Sequence, residues 1–493
     1  MAVLFDDKNR SIVPRWRNFN TTVALGELRP LESPPSTFPK GAEAVAALVD
    51  TVGAWNEHHS FSFATDLISR ALVLNCKAVA REAAEFILSR EELGHSAAAA
   101  LARRVLDLKP ESVGDVPLRE TVKSLRSSLG EQSENAFMWC DLGLAYAGLG
   151  SGEKARRAIT TALQQAPTNR FIIRSAARLF LHLDDPETAH RILKRSPSTV
   201  YDPWLLSAEI AIATARSKTS QNTKRAQQIL KRQEFPNFHL SELASAMGTL
   251  EVRSSVLRGR KLLRLSLESP TENAIAQAAW ISRNLKIEIN DERLCTLPPS
   301  PEASSYQWFQ QSRWDDALIA AQSWWLDQQF SARPSELGSF LGLVKGDYKT
   351  SIEFATRGLI ANPHEFNLLN NGAFAAANSG NLDSARKFLD RVEISALSDS
   401  NRMVFMATDG FIRMKKGDLV TGRAQYLEAI NYFEQVNDLR KYAGAFLNYA
   451  LAEKQINPGD AAFLRKQALA KFSNSEYPEI RALCARLAEP DRP

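Results

Sequence analysis

Three stretches of the chain hold residue types that could do chemistry. Gly148-Leu149-Gly150-Ser151-Gly152-Glu153-Lys154 has the glycine density of a loop that cradles phosphate on its backbone amides. Such a loop ends in Gly-Lys-Ser/Thr, so that the lysine reaches phosphate and the hydroxyl holds magnesium. Here Glu153 separates Gly152 from Lys154 and Ala155 follows, so the stretch reads as a turn. His58-His59 is the only adjacent histidine pair. Neighbours on a helix point about 100° apart, so the two do not converge on one metal and read as a solvent-facing pair at a helix end. His182 and His190 flank a turn and could meet across a hairpin, but no third ligand is evident. No H-E-x-x-H, G-x-S-x-G or strand-borne G-x-G-x-x-G occurs. The expectation is a non-enzymatic chain with no catalytic, cofactor-binding or metal-binding residues.

The glycines of that loop sit inside a larger spacing. Trp139, Leu142, Gly143 and Tyr146 fall at i, i+3, i+4 and i+7, one face of a first helix. Ala155, Ile159 and Ala162 line a second helix, Gly150 and Gly152 mark the turn, and Pro167 stops the hairpin. Gly143 and Ala155 are small enough to let the two helices approach closely. Residues 136–169 thus resemble the tetratricopeptide repeat (TPR), a two-helix unit of about 34 residues, with Ile159 in place of the usual aromatic. The resemblance implies an all-α, right-handed superhelical solenoid of TPR-like helical hairpins, which serves as a scaffold for binding.

The register continues. Ile173, Ala176, Ala177, Phe180, Ala189 and Leu193 make the next unit, and Pro203 opens a looser one whose turn is lengthened by Arg216 to Thr223. Units over 332–365, 366–399 and 403–436 repeat the turn glycine at Gly346, Gly380 and Gly417. The first helix of 332–365 holds Ser335, Gly338, Ser339 and Gly342, poor helix formers that predict a short or irregular helix. The expected organisation is an extended, proline-rich arm over 1–42, degenerate helical repeats over 43–135, a first TPR-like block over 136–286, and a Pro-rich loop or block boundary over 287–305 around Pro298, Pro299 and Pro301. A second block over 306–488 ends in a capping helix, Glu479 to Leu487, with a polar outer face.

Composition narrows the class. A net charge of +5 over 493 residues permits an acidic partner without requiring nucleic acid. Cys76, Cys140, Cys295 and Cys484 are scattered with no C-x-x-C, which fits a reducing compartment. No apolar run approaches the ~18 residues of a membrane span, and MAVLFDDKNR is no secretory signal. A cytoplasmic protein with no membrane contact is expected.

The resemblance places partner contacts on the inward-facing positions of the first helices. Arg174 and Arg178 take two such places, and Arg170 extends them at i, i+4, i+8. Arginine forks suit carboxylates or phosphates, yet Glu209 takes the matching place of the next unit and could simply pair with Arg178. Phe340, Phe374 and Phe411 take the ninth place of three consecutive units, with Asn370, Asn371 and Asn378 beside them. They read either as an apolar stripe gripping a partner segment or as packing between first helices. The carboxylate clamp known in the family is not matched, because Cys140 and Leu144 stand where its lysine and asparagine belong. The functional expectation is a scaffold or adaptor holding a protein partner in the concave groove and possibly regulating a partner enzyme. The alternative is a nucleic-acid-binding helical-repeat protein, and Arg253, Arg258, Arg260, Lys261 and Arg264 are its basic segment, with no aromatics interleaved to stack bases.

Overall fold

The structure, a computed structural model, describes residues 42–90, 96–108, 117–289 and 300–489. The expected arm lies outside the described residues except for Ala42, as do Cys295, Pro298 and Pro299. The described residues form 25 α-helices and no strand. They divide into two compact units, one reaching Ala303 and one starting at Ser304.

In the first unit five helices precede the regular repeats: α1 (Ala42–Glu57), α2 (Phe61–Val73), α3 (Arg81–Arg90), α4 (Ala97–Val105) and α5 (Leu118–Glu131). Hairpins follow: α6 (Ala136–Gly148) with α7 (Gly152–Gln165), α8 (Arg170–His182) with α9 (Pro186–Arg195), α10 (Pro203–Ala215) with α11 (Thr223–Arg232), and α12 (Asn237–Glu251) with α13 (Val256–Ser266). A single helix, α14 (Glu272–Leu285), packs on α12. The second unit holds α15 (Pro301–Gln310) and α16 (Trp314–Asp327). Its hairpins are α17 (Ala332–Lys345) with α18 (Tyr348–Ala361), α19 (Phe366–Asn378) with α20 (Leu382–Leu389), α21 (Asp399–Lys415) with α22 (Leu419–Gln435), and α23 (Leu439–Ile456) with α24 (Pro458–Phe472), before α25 (Pro478–Ala488). Pro301 does not belong to the expected loop. It occupies the first position of a helix, where its missing N–H costs no hydrogen bond.

One turn design recurs. A residue in the left-handed region ends the first helix, and the next residue caps the second. Gly346, Gly380 and Gly417 take φ of +79°, +85° and +94°. Asp347, Asn381 and Asp418 then accept the backbone N–H groups of Thr350, Ser384 and Thr421. Asp184-Asp185 and Asn437-Asp438 do the same without glycine. Gly150, at φ +70°, places Gly148–Lys154 at the turn between α6 and α7.

First helices pack on first helices of the next repeat: α6 on α8, α8 on α10, α10 on α12, and α17 on α19, α19 on α21, α21 on α23. Each is therefore covered on nearly all sides. α10 is buried continuously from Pro203 to Ala213, whereas its second helix α11 buries only Ala226, Ile229 and Leu230. Ala155, Ile159 and Ala162 are completely buried, and Leu142 is buried in a cluster against which Trp139 and Tyr146 pack.

α17 corrects an expectation. It is a regular helix of 14 residues despite Ser335, Gly338, Ser339 and Gly342. A Cβ on Gly338 would lie 2.4 Å from Phe354 Cδ1, and one on Gly342 2.7 Å from the Ser351 backbone nitrogen. The small residues trade helix propensity for close contact with α18. Gly342→Ala, which meets backbone that cannot swing aside, is predicted to destabilise the second unit by ~1–3 kcal/mol in urea titration. An unchanged midpoint would contradict this contact.

The leading helices of the first unit are tied to the repeats by long-range polar contacts. Asn169 donates to Asp66 at 2.6 Å, Arg70 to Thr168 Oγ1 at 3.1 Å, and the Ala97 amide to Asp141 at 3.2 Å. His239 Nε2 lies 3.2 Å from the Leu72 carbonyl while Arg170 faces its Nδ1 at 3.3 Å, so the imidazole is neutral with its proton on Nε2. Burial, followed by the charges of Arg170 and Arg104, holds His239 well below the usual histidine range. The unfolded chain takes up this proton near pH 6.5 and the folded chain does not. Stability is therefore lost as pH falls below about 6.5, with a slope approaching 1.4 kcal/mol per pH unit. His239→Gln, which keeps a donor and an acceptor, should reduce that slope in urea titrations between pH 7 and 5.5, leaving the share of His182, which burial also holds low.

Candidate protein-binding site

In the first unit the second residue of each first helix is aromatic: Phe137, Phe171, Trp204 and Phe238. Their ring centroids follow one another at 6.2, 6.2 and 5.6 Å, a ladder running across four helices. The recurrence at 33 or 34 residues was present in the sequence, but these residues precede the Trp-Leu-Gly-Tyr signature and escape a search anchored on it.

The arginines pack on this ladder. The guanidiniums of Arg170 and Arg174 lie 4.0 and 5.0 Å from the Trp204 centroid. Arg170 donates to Asp202 at 2.9 Å. Arg174, 0% exposed, donates to Glu242 at 2.8 Å, and Thr271 Oγ1 donates to the other carboxylate oxygen at 3.1 Å. Of the two readings of the arginines, ligand contact or ion pair, Arg174 takes the ion pair: Glu242, two repeats on, uses its charge. Arg178 is half-buried. Glu209 receives His190 at 2.8 Å and the hydroxyl of Ser220. Arg174→Met leaves the Glu242 carboxylate buried without its cation and should cost ~3–5 kcal/mol, most of which Arg174→Met/Glu242→Met recovers. A double variant as unstable as the single one would contradict the pairing.

The second unit divides the expected stripe. Phe340 packs 6.1 Å from Phe309 in a cluster with Tyr306 and Trp324. Asn370 and Asn371 are fully buried and bridge first helices, Thr408 donating to Asn370 Oδ1 at 2.7 Å and Asn371 donating to Ser339 Oγ at 3.1 Å. These three serve packing between helices. Phe374 and Phe411 instead meet at 5.1 Å and, with Asn378, line a cleft completed by Leu343, Tyr348, Asn448, Leu451, Gln455 and Arg486. Asn378 Nδ2 donates to the Phe374 carbonyl at 2.8 Å and Asn448 Nδ2 to the Gly444 carbonyl at 2.7 Å, leaving each Oδ1 as an acceptor. The result is a small, largely polar cleft with the buried rings of Phe374 and Phe411 at its base.

Arg486 comes from α25, expected only as a terminal cap. It reaches back to α17 and α18, donating to the Leu343 carbonyl at 2.9 Å and Tyr348 OH at 2.8 Å. Ile480, Leu483, Cys484 and Leu487, at i, i+3, i+4 and i+7, are its buried face. That spacing was legible; where the helix folds was not.

His58 and His59 are exposed beyond the end of α1, and His59 packs on Trp55 at 4.4 Å. His190 lies between Glu209 and Arg216, whereas burial and the Arg178 charge push His182 down to about 4. Among the described residues no three His, Cys, Asp or Glu side chains are grouped to hold a metal.

Successive two-helix units in register, each first helix stacked on the next, define a TPR-like helical-repeat protein. No family model and no curated protein matches the chain. Solved structures similar to it include the APC/C hetero-tetramer Cut9-Hcn1 (14% identity over 91% of this chain and 93% of that chain, TM-score 0.34). Others are a human IFIT1 dimer with PPP-AAAA (13%, 77% and 96%, TM-score 0.36) and yeast Tom70 (13%, 90% and 95%, TM-score 0.31). Among the described residues no helix is long and apolar enough to cross a membrane.

Proposed function

We propose that the protein is a non-catalytic, cytoplasmic scaffold that holds a protein segment at the cleft formed by Phe374, Phe411, Asn378 and Asn448. The observation that carries this reading is the chemistry of the cleft. The rings of Phe374 and Phe411 lie at its base, and the amide oxygens of Asn378 and Asn448 at its rim are acceptors for the N–H groups of a peptide backbone. An apolar anchor seated among backbone hydrogen bonds is the usual construction of a peptide site. Of the residues expected to meet a partner, Phe374, Phe411 and Asn378 are assigned to it. Asn370, Asn371 and Arg174 are assigned to the framework, because their polar groups are buried and paired within the fold, and Phe340 because it packs in the cluster of Tyr306, Phe309 and Trp324 away from the cleft.

The test is affinity capture of the tagged full-length chain from its native cell after nuclease treatment, comparing wild type with Asn378→Arg. Asn378 is half-buried at the rim, so the substitution obstructs the cleft without opening the core. A stoichiometric protein recovered by wild type should drop about tenfold with the variant, equivalent to ~1.4 kcal/mol. Equal recovery by both would remove the cleft from the binding surface. Recovery of nucleic acid, with proteins lost on digestion, would replace the scaffold with a nucleic-acid-binding array.

A further inference from the structure

We infer that the outer face of the first unit, built by α7, α9, α11 and α13, is a separate binding surface that takes the phosphate backbone of a nucleic-acid duplex. The inference goes beyond the cleft reading and does not depend on it. α7 packs on α6 and α8, α9 on α8 and α10, α11 on α10 and α12, and α13 on α12. The four second helices thus lie against the row of first helices and follow one another along one side of it. They carry fourteen Lys and Arg but only two acids, Glu153 and Glu187. Their net charges are +2, +2, +4 and +4, so +12 sits on them in a chain whose total is +5. The matching helices of the second unit, α18, α20, α22 and α24, sum to only +3. Eleven of the fourteen cations are exposed. Among the described residues Arg157, Lys194, Arg195, Lys231, Lys261 and Arg264 form no ion pair.

Helix stability does not account for this charge. Cations in a last turn, such as Lys194 and Lys231, complement the macrodipole, but Lys224 and Arg258 stand in first turns, where it opposes them. Arg191 and Arg195 lie at i and i+4, and Arg258, Lys261 and Arg264 at i, i+3 and i+6, so like charges face each other along α9 and α13 and weaken both helices. A polyanion laid on the face removes that repulsion. The chemistry of the face narrows the polyanion. Six of the exposed cations are arginines, whose forks match phosphate oxygens. None of the four helices contains Phe, Tyr or Trp, so no ring is there to stack a base, and the face suits a backbone whose bases are already paired. Only α13 exposes large apolar side chains, Val256 and Leu257; α7, α9 and α11 offer a bilayer or a protein hot spot nothing to bury. First helices in contact lie ~8–10 Å apart, so four repeats spread the cations over about 30 Å, close to one duplex turn. Held on packed helices, the array meets the stiff backbone of a duplex with little ordering of either, whereas an acidic peptide would have to be ordered to match it.

The experiment titrates full-length protein into fluorescein-labelled DNA and RNA duplexes of one sequence, each about 24 base pairs long, and reads anisotropy between about 50 and 200 mM salt. Wild type is compared with Lys194→Gln/Lys231→Gln/Lys261→Gln, which neutralises one exposed lysine on each of α9, α11 and α13. Lys349→Gln/Lys387→Gln/Lys466→Gln removes the same charge from exposed positions of the second unit and is the control. Circular dichroism and the urea midpoint are recorded for each. The first triple variant should stay as stable as wild type, because no ion pair is lost. It should lose about tenfold or more in duplex affinity, with a salt slope shallower by roughly 0.9 for each lysine that meets phosphate. The control and Asn378→Arg should bind as wild type does, and whichever duplex binds more tightly names the source of the phosphate. No duplex binding at ~100 µM protein and about 50 mM salt would overturn the inference. An equal loss in the control would do the same. So would tighter binding to a single strand, to polyglutamate or to phosphatidylserine–phosphatidylcholine vesicles than to either duplex, reassigning the face to unpaired nucleic acid, an acidic protein segment or a membrane. If duplex binding holds while Asn378→Arg leaves capture unchanged, the cleft reading fails alone; if it fails while Asn378→Arg abolishes capture, the scaffold reading stands alone.

Discussion

A helical hairpin cannot bury the whole surface of its first helix by itself, and the structure follows from that constraint. α10 and α17 are enclosed along nearly their full length, which requires a second helix on one side and the first helices of neighbouring repeats on others. Helices approach that closely only where side chains are small. Gly338 and Gly342 are therefore not helix-breaking accidents but the positions at which α18 comes down onto α17. The hydrophobic effect supplies the drive, and the small residues set the distance at which it acts.

Enclosure has a consequence for charge. A guanidinium on a first helix is carried into the interior whether or not it is useful there, and leaving it unpaired is costly. The first unit resolves this across repeats: Arg170 meets Asp202 one repeat on, and Arg174 meets Glu242 two repeats on. Both guanidiniums also lie over Trp204, so the aromatic ladder and the ion pairs form one structure. Polar contacts of this kind give register. A shift by one repeat would leave Arg174 and Glu242 both buried without partners.

Much of the fold was readable because it is written in local spacing. The turn pairs Gly346-Asp347, Gly380-Asn381 and Gly417-Asp418 state where one helix stops and the next begins, and the alternation of Ala155, Ile159 and Ala162 states which face is buried. The site was less legible, because residues of one type and one register position met different fates. Phe340 and Phe374 hold equivalent places, yet one joins Tyr306, Phe309 and Trp324 while the other packs on Phe411 beside a small cleft. Around them lies α25, which packs on both clusters and is fixed by contacts such as Arg486 to Leu343 that span 143 residues. Likewise, the register offers Glu209 as a partner for Arg178, but it gives no sign that Arg174 reaches two repeats on to Glu242. Sequence periodicity gives faces; it does not say what covers a face.

The same constraint explains why the non-repeating helices matter most for function. An array of identical hairpins would expose its first-helix face along its whole length, and large exposed apolar surfaces are poorly tolerated. Each unit covers that surface with a segment that does not repeat. The cover differs in kind. In the first unit it is sequence-specific, side chain to side chain: Asp66 with Asn169, Arg70 with Thr168, Arg104 over Phe238. In the second it joins an apolar stripe and cations on main-chain carbonyls to the side-chain pairs Arg440–Glu479 and Arg486–Tyr348. Main-chain contacts do not distinguish one helix from another, whereas side-chain pairs do. Each covering segment is therefore fixed to its own unit by residues that another helix would have to reproduce, Asn169 and Asp66 in the first and Glu479 and Arg486 in the second.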